Sequence, residues 1–310
     1  MKIGIKTGQG GYTYDELSKM WQKAEELRFD SAWLYDHFIA LGNPNTPCLE
    51  AYSTLGALAR DTKHIRIGVM VTCVAYRNPA YLAKISSTLD VISNGRLIMA
   101  LGAGWYEDEY KSYDYKFLQA RERISQLRET IKILRMMWRE QSPSFEGKHF
   151  SIHNAVNLPK PVQKDPPIWV GIREGTKILP AVAVKEADGL NTMSQLEVCK
   201  RIINRAESIR NQIGRKRSNV TYSLQIYLMT GTESQLDKIA EHSAKRSGMS
   251  KEEYLKRIKG RGCVIGSPEE CAAVLRNYVE AGIDYLVPII VGDTLLFPLE
   301  TLKDKILPLI

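Results

Sequence analysis

The sequence predicts a (β/α)8 TIM barrel, an α/β fold forming one domain over residues 1–310. Three observations predict it. Short apolar runs alternate with helix-length segments eight times along the chain. The runs are continuously apolar, as parallel strands buried on both faces must be. No G-x-G-x-x-G follows the first strand, which weighs against a doubly wound open sheet.

Each element carries its own signal. Lys2 to Thr7 reads as strand one, with Gly8, Gly10 and Gly11 in the loop after it. Thr13 and Glu16 form a capping-box pair before a helix whose buried face is Leu17, Met20, Trp21, Ala24 and Leu27. Ser31 to Tyr35 is strand two and ends in Asp36-His37. A polar loop with Pro44 and Pro47 leads to a helix from Glu50 to Arg60. Ile65 to Thr72 is strand three, and Pro79 suits the first turn of a helix that Asn94-Gly95 closes. Arg96 to Leu101 is strand four and runs into Gly102-Ala103-Gly104. Ile124, Leu127, Ile131, Leu134 and Trp138 mark the next helix.

The rhythm then breaks over residues 140–167, with a hairpin turn at Phe145 to Lys148 and four prolines. This is an insertion after helix four. Ile168 to Gly171 is strand five, Asp188 to Asn191 strand six and Val220 to Met229 strand seven, with a helix over Gln195 to Gly214. Capping boxes at Thr232/Gln235 and Ser250/Glu253 predict a helical insertion after strand seven. Ser267-Pro268 starts another helix that stops at Gly282. Asp284 to Val291 is strand eight, and a closing helix ends near Leu307.

Composition narrows the function classes. Apolar residues make up 44% and charged residues 25%, ordinary values for a soluble globular protein. No apolar run approaches the roughly 18 residues of a membrane span. Met1 is followed at once by a strand-like segment, so no signal peptide is expected. The five cysteines show neither C-x-x-C nor metal-ligand spacing, which suits a reducing cytoplasm and no metal. A net charge of +8 without dense basic runs favours acidic small molecules or solubility over nucleic acid.

In a barrel, chemistry sits at the C-terminal ends of the strands. Here those ends are Gly8 to Gly11, Asp36-His37, Thr72-Cys73, Gly102 to Trp105, Gly171 to Lys177 and the segment after Ile290. His37 and Asp36 are the candidate catalytic residues. Histidine exchanges protons near neutral pH, while Asp36 orients its neighbours. Gly102, Ala103 and Gly104 let a planar ligand or another backbone come close. Gly171, Arg173, Gly175, Thr176 and Lys177 form a glycine-containing, cationic turn before a helix, a candidate phosphate site. Trp105 to Glu109 is an aromatic-acidic loop in which Trp105 lines a pocket. Glu107 and Glu109 make only a weak case for a carboxylate pair.

These residues resemble the luciferase-like flavin and deazaflavin oxidoreductases, the bacterial luciferase superfamily. The resemblance rests on AEELRFDSAWLYDHF (Ala24 to Phe38), IRIGVMVTCVAYRNPA (Ile65 to Ala80), SNGRLIMALGAGWYEDEY (Ser93 to Tyr110) and FEGKHF…PKPVQ…PPIWVGI (Phe145 to Ile172). EADGLNT (Glu186 to Thr192) and GSPEECAAVLRNYVEAGIDYLV (Gly266 to Val287) extend it. It implies a TIM barrel, a homodimer, and a flavin-type ring across the C-terminal mouth with its phosphate tail at Gly171 to Lys177. In deazaflavin members the Asp-His pair faces the ring, and a non-prolyl cis peptide in strand three supports it. That bond maps to Val69-Met70 or Met70-Val71, next to Thr72.

The sugar-phosphate dehydrogenases place a glutamate after the strand-four Gly-x-Gly. The methylene-tetrahydromethanopterin reductases place an aspartate there and a glutamate in strand one. Trp105 and Lys6 stand at those positions here, so neither activity is carried over. The resemblance implies an oxidoreductase that passes hydride between the deazaflavin coenzyme F420 and a small organic substrate. The alternatives are an FMN-dependent monooxygenase and a non-catalytic flavin-binding homologue.

Overall fold

Eight parallel strands close on themselves in the computed structural model, which describes residues 1–41, 43–290 and 297–310. They are β1 (Lys2–Lys6), β2 (Ser31–Leu34), β3 (Arg66–Cys73), β4 (Leu97–Gly102), β7 (Ile168–Ile172), β8 (Gly189–Thr192), β9 (Thr221–Thr230) and β11 (Tyr285–Ile290). Each pairs with the next, and β11 pairs back onto β1 with Lys6 opposite Ile289. A short antiparallel hairpin, β5 (Phe145–Glu146) and β6 (Ser151–Ile152), occupies the first insertion.

The barrel helices are α1 (Tyr14–Glu26), α2 (Ala51–Asp61), α3 (Pro79–Ile92), α5 (Ala120–Arg139), α6 (Leu179–Glu186), α7 (Leu196–Gln212) and α10 (Pro268–Glu280), with α11 (Phe297–Thr301) closing the chain. Capping boxes form at Thr13, Thr232, Ser250 and Ser267, each satisfying otherwise orphaned helix N–H groups. Those at Thr232 and Ser250 open α8 (Glu233–Arg246) and α9 (Lys251–Gly260), the insertion after β9. Two elements differ from expectation. Glu107–Ser112 is a short helix, α4, where a loop was expected. Val264–Gly266 is an extra strand, β10, which pairs with the end of β9.

Outward-facing strand residues such as Ile3, Ile5, Leu34, Val69 and Leu101 join the helices in the main core. The inward set is separate: Trp33, Met70, Ile98, Ala100, Trp169, Tyr285 and Val287. Trp33 and Trp169 lie 5.3 Å apart between ring centroids, and Ser31 accepts hydrogen bonds from Trp33 and Tyr285. Rings this large fit because glycine faces them. A Cβ on Gly68 would sit 2.4 Å from the Trp33 ring and 2.6 Å from the Ile98 carbonyl oxygen. Gly68→Ala is therefore expected to destabilise the barrel by about 1–3 kcal/mol, read as a lower urea midpoint at unchanged m-value. An unchanged midpoint would show that Trp33 can move.

The opposite rim is tied by Arg96. Its guanidinium donates to the carbonyls of Ala59, Thr62, Ile65 and Ser93, joining the end of α2 to the starts of β3 and β4. Stabilising contacts of this kind at the N-terminal rim leave the C-terminal mouth for chemistry.

Candidate active site

The β2 exit is fixed from both sides. Gln9 is fully buried; its amide donates to the Tyr35 carbonyl at 2.6 Å and accepts from the Tyr35 N–H at 3.1 Å. Asp36 is buried too. Arg77 donates to both its oxygens, at 2.7 and 3.0 Å, and the Cys73 N–H donates at 2.9 Å. Burial pushes the Asp36 carboxyl up, and Arg77 opposes that shift. With both oxygens engaged, Asp36 ties the β2 exit to the β3 exit. Held in this way, the carboxylate suits the orienting part expected of Asp36 beside His37.

His37 follows and is held through one ring nitrogen. Its Nδ1 lies 2.8 Å from Oε2 of Glu109, which is fully buried. Tyr76 donates to the same oxygen at 2.7 Å, and the Phe38 N–H donates to Oε1 at 2.7 Å. Burial alone would raise the Glu109 carboxyl; the bonds from His37, Tyr76 and Phe38 outweigh it and hold the group below its ordinary value. A carboxylate only accepts, so Nδ1 carries the proton and a neutral His37 bears its lone pair on Nε2. Nε2 has no hydrogen-bond partner among the described residues. The rings of Tyr35, Trp105 and Tyr106 surround the imidazole at 5.5, 5.8 and 6.2 Å.

Glu109 was the residue sequence reasoning missed. It lies in α4, whose first turn holds Glu107, Asp108 and Glu109, acids that suit a helix N-terminus. The short helix turns Glu109 inward, while Glu107 is exposed and pairs with Lys111 at 2.9 Å. The two glutamates do not form a catalytic carboxylate pair.

The β3 register against β4 shifts between Val69 and Thr72, and the Met70–Val71 peptide is cis, the second of the two expected positions. Met70 and Val71 both join the inward cluster. Val69 instead packs among the helices, and the buried Thr72 hydroxyl pairs with Tyr52 at 2.7 Å. Neither side chain belongs to the inward cluster. Gly102 and Gly171 seat Val71 between them: a Cβ on either would fall within 2.9 Å of its side chain. Gly104, at φ +81°, leaves room for the Tyr110 hydroxyl. Ala103 is half-buried beside it, and Trp105 is exposed, stacked on Tyr106 with Arg173 over its ring at 5.5 Å.

The β7 exit keeps its cations free. Arg173, Gly175 and Lys177 are exposed and Thr176 half-buried. No carboxylate among the described residues pairs with Arg173 or Lys177. α6 starts two residues after Lys177, and no side chain caps its N-terminus. The segment after Ile290, also expected at the mouth, lies outside the described residues.

A cavity of about 600 Å³ opens at the opposite end of the barrel, beside Glu25, Arg66 and Trp169. Its ionic groups serve the fold: Glu25 accepts from the N–H groups of Lys63, His64 and Ile65, and Arg66 donates to Leu97 and Gln163. Among the described residues there is no metal-binding cluster, and no helix is long and apolar enough to cross a membrane.

Comparison with known proteins agrees with this architecture. An F420-dependent glucose-6-phosphate dehydrogenase of Amycolatopsis mediterranei is 23% identical, covering 93% of this chain and 92% of its own. The structure of an F420-dependent secondary alcohol dehydrogenase with an F420-acetone adduct superposes with a TM-score of 0.85 at 23% identity, covering 100% of this chain and 99% of that one. A monooxygenase from Streptomyces bottropensis superposes at 0.83 with 17% identity, covering 99% of both chains. Residues 1–285 match the luciferase-like monooxygenase family as a whole, and the chain belongs to that family.

Proposed function

We propose that this chain is an F420-dependent oxidoreductase, passing hydride between the deazaflavin coenzyme and a small organic substrate at the barrel mouth. The observation that carries this reading is His37, whose Nδ1 is fixed on buried Glu109 and whose Nε2 is left open beside Trp105. The names of the relatives support it. The residues present fit such a coenzyme. Val71, seated between Gly102 and Gly171 beside Met70, offers a smooth apolar floor for a ring. Arg173 and Lys177, with Gly175 and Thr176 between them ahead of α6, offer cations for an acidic tail. Trp105 walls the substrate side.

When bound, the coenzyme supplies hydride transfer. The chain supplies the rest. His37 takes or gives at Nε2 the proton that accompanies reaction at a hydroxyl or carbonyl, and Glu109 steadies the charge that this puts on the ring. The reading includes a cytoplasmic homodimer. The five free cysteines support the compartment, and the dimer rests on family resemblance.

Fluorescence titration with F420 and with FMN tests the reading. F420 is expected to bind at micromolar affinity, at least about tenfold more tightly than FMN. Tight FMN binding without a response to F420 would overturn it in favour of an oxygen-activating flavin enzyme. Binding of neither would favour a non-catalytic relative. The tail position has its own check. Lys177→Glu is expected to weaken F420 about tenfold, or roughly 1.4 kcal/mol, with the wild-type affinity falling as salt rises. Unchanged affinity in that variant would put the phosphate elsewhere.

A further inference from the structure

Lys6 ends β1 inside the barrel. Ile3 and Ile5 face the helices, while Gly4 faces Trp33 in the interior, so alternation sends Lys6 inward at the C-terminal mouth. Its Nζ donates to Gln225 Oε1 on β9 at 2.6 Å and lies 6.0 Å from the Tyr35 ring centroid. The other described groups against it are neutral. β8 contributes Asn191, bonded to Gln225, and β11 contributes Ile289 opposite Lys6. No carboxylate among the described residues lies within ion-pair distance of it. Burial pushes the amine down to about 7.

The neutral groups are nevertheless ordered toward a cation. Ser223 donates to the Leu190 carbonyl, which can only accept. The Ser223 oxygen therefore receives Asn191 Nδ2 at 2.9 Å, Asn191 Oδ1 receives Gln225 Nε2, and Gln225 Oε1 is left facing Lys6. This relay fixes both amides and presents an acceptor to an ammonium. One of the three ammonium donors is used by Gln225, and the positive charge has no counter-ion among the described residues. Tyr35 lies beside both this lysine and His37, its ring centroid 6.0 Å from Lys6 Nζ and 5.5 Å from the imidazole centroid.

We propose that Lys6 anchors a carboxylate of the substrate, so that the molecule oxidised or reduced beside His37 is a small organic acid. One cation with two donors unused by the described residues matches one negative charge. The substrate class rests on the proposed hydride transfer at this mouth; the anion site itself does not.

Full-length protein labelled with ¹³C and ¹⁵N in lysine, with and without bound F420, tests it by NMR. The Lys6 ε-methylene signal is assigned by its loss in Lys6→Gln. Acetate is expected to shift that signal saturably and to raise its titration midpoint by about one unit. Above the free-lysine midpoint, affinity should fall about tenfold per pH unit, because only the ammonium binds. In turnover, Lys6→Gln should raise KM for hydroxy or keto acids far more than for the corresponding neutral alcohols or ketones. A Lys6 signal indifferent to acetate while F420 still binds would overturn the anion site and leave the coenzyme reading standing. A response to inorganic phosphate but not acetate would overturn the carboxylate assignment. An acetate response in a protein that binds no F420 would keep the anion site and remove the hydride reading.

Discussion

His37→Ala is expected to lower kcat by about 10²–10⁴-fold and to leave the coenzyme dissociation constant largely unchanged. The asymmetry follows from where the ring sits. His37 is held by Glu109 through Nδ1, so its free atom is Nε2, placed to exchange a proton beside the mouth residues Trp105 and Tyr106. A proton transfer contributes mainly in the transition state, so its loss appears in kcat rather than in binding. The fold should tolerate the change: Glu109 retains the Phe38 N–H and the Tyr76 hydroxyl. His37→Gln separates chemistry from positioning, because its amide can still donate to Glu109 but cannot relay a proton. Equal losses in both variants, measured beside F420 fluorescence titrations, assign the proton to His37. Wild-type turnover in His37→Gln would reduce it to a positioning group.

What the sequence disclosed and what it hid divide along physical lines. Eight strands and their helices were legible because each is a local signal: a continuous apolar run, a capping box, a proline at a first turn. The Asp36-His37 and Gly102 to Gly104 strand ends were legible once a barrel was assumed, since the topology says which ends meet. The partner of His37 was not. Glu109 lies 72 residues away, and α4, only six residues long and uncapped, gives little periodicity to read. Strand β10 escaped for a similar reason: its three residues are strand only because β9 overhangs the barrel and offers Leu228 to Thr230 for pairing. The split between Asp36 and His37 also depends on a distant residue, Arg77, which comes from the turn before α3 and takes both Asp36 oxygens. In β3 the period-two rule itself misleads, because Met70 and Val71 both face inward where the register shifts.

Glu109→Ala is expected to be among the most destabilising single changes at this site, by about 3–5 kcal/mol. Glu109 is fully buried, and its removal strands His37 Nδ1, the Phe38 N–H and the Tyr76 hydroxyl, which have no other side-chain acceptor among the described residues. Glu109→Gln is the sharper probe. One amide oxygen can still accept from Phe38, but the NH2 then faces Nδ1. To avoid two opposed donors, His37 must accept at Nδ1 and carry its proton on Nε2, the reverse of the wild-type tautomer. Turnover should fall at least about 10²-fold with a smaller loss of stability, and imidazole ¹⁵N shifts should report the switched tautomer. The pH dependence has a definite sign. The Glu109 carboxyl is held below its ordinary 4.5, so its ionic bonds contribute fully above that value and are lost as pH falls through the lower, folded one. Wild-type stability should therefore drop in that acid window, and Glu109→Gln should lack this component of the drop. Parallel acid-unfolding curves for the two proteins, or an unchanged imidazole tautomer in the variant, would remove Glu109 from its role as the group that sets the His37 proton.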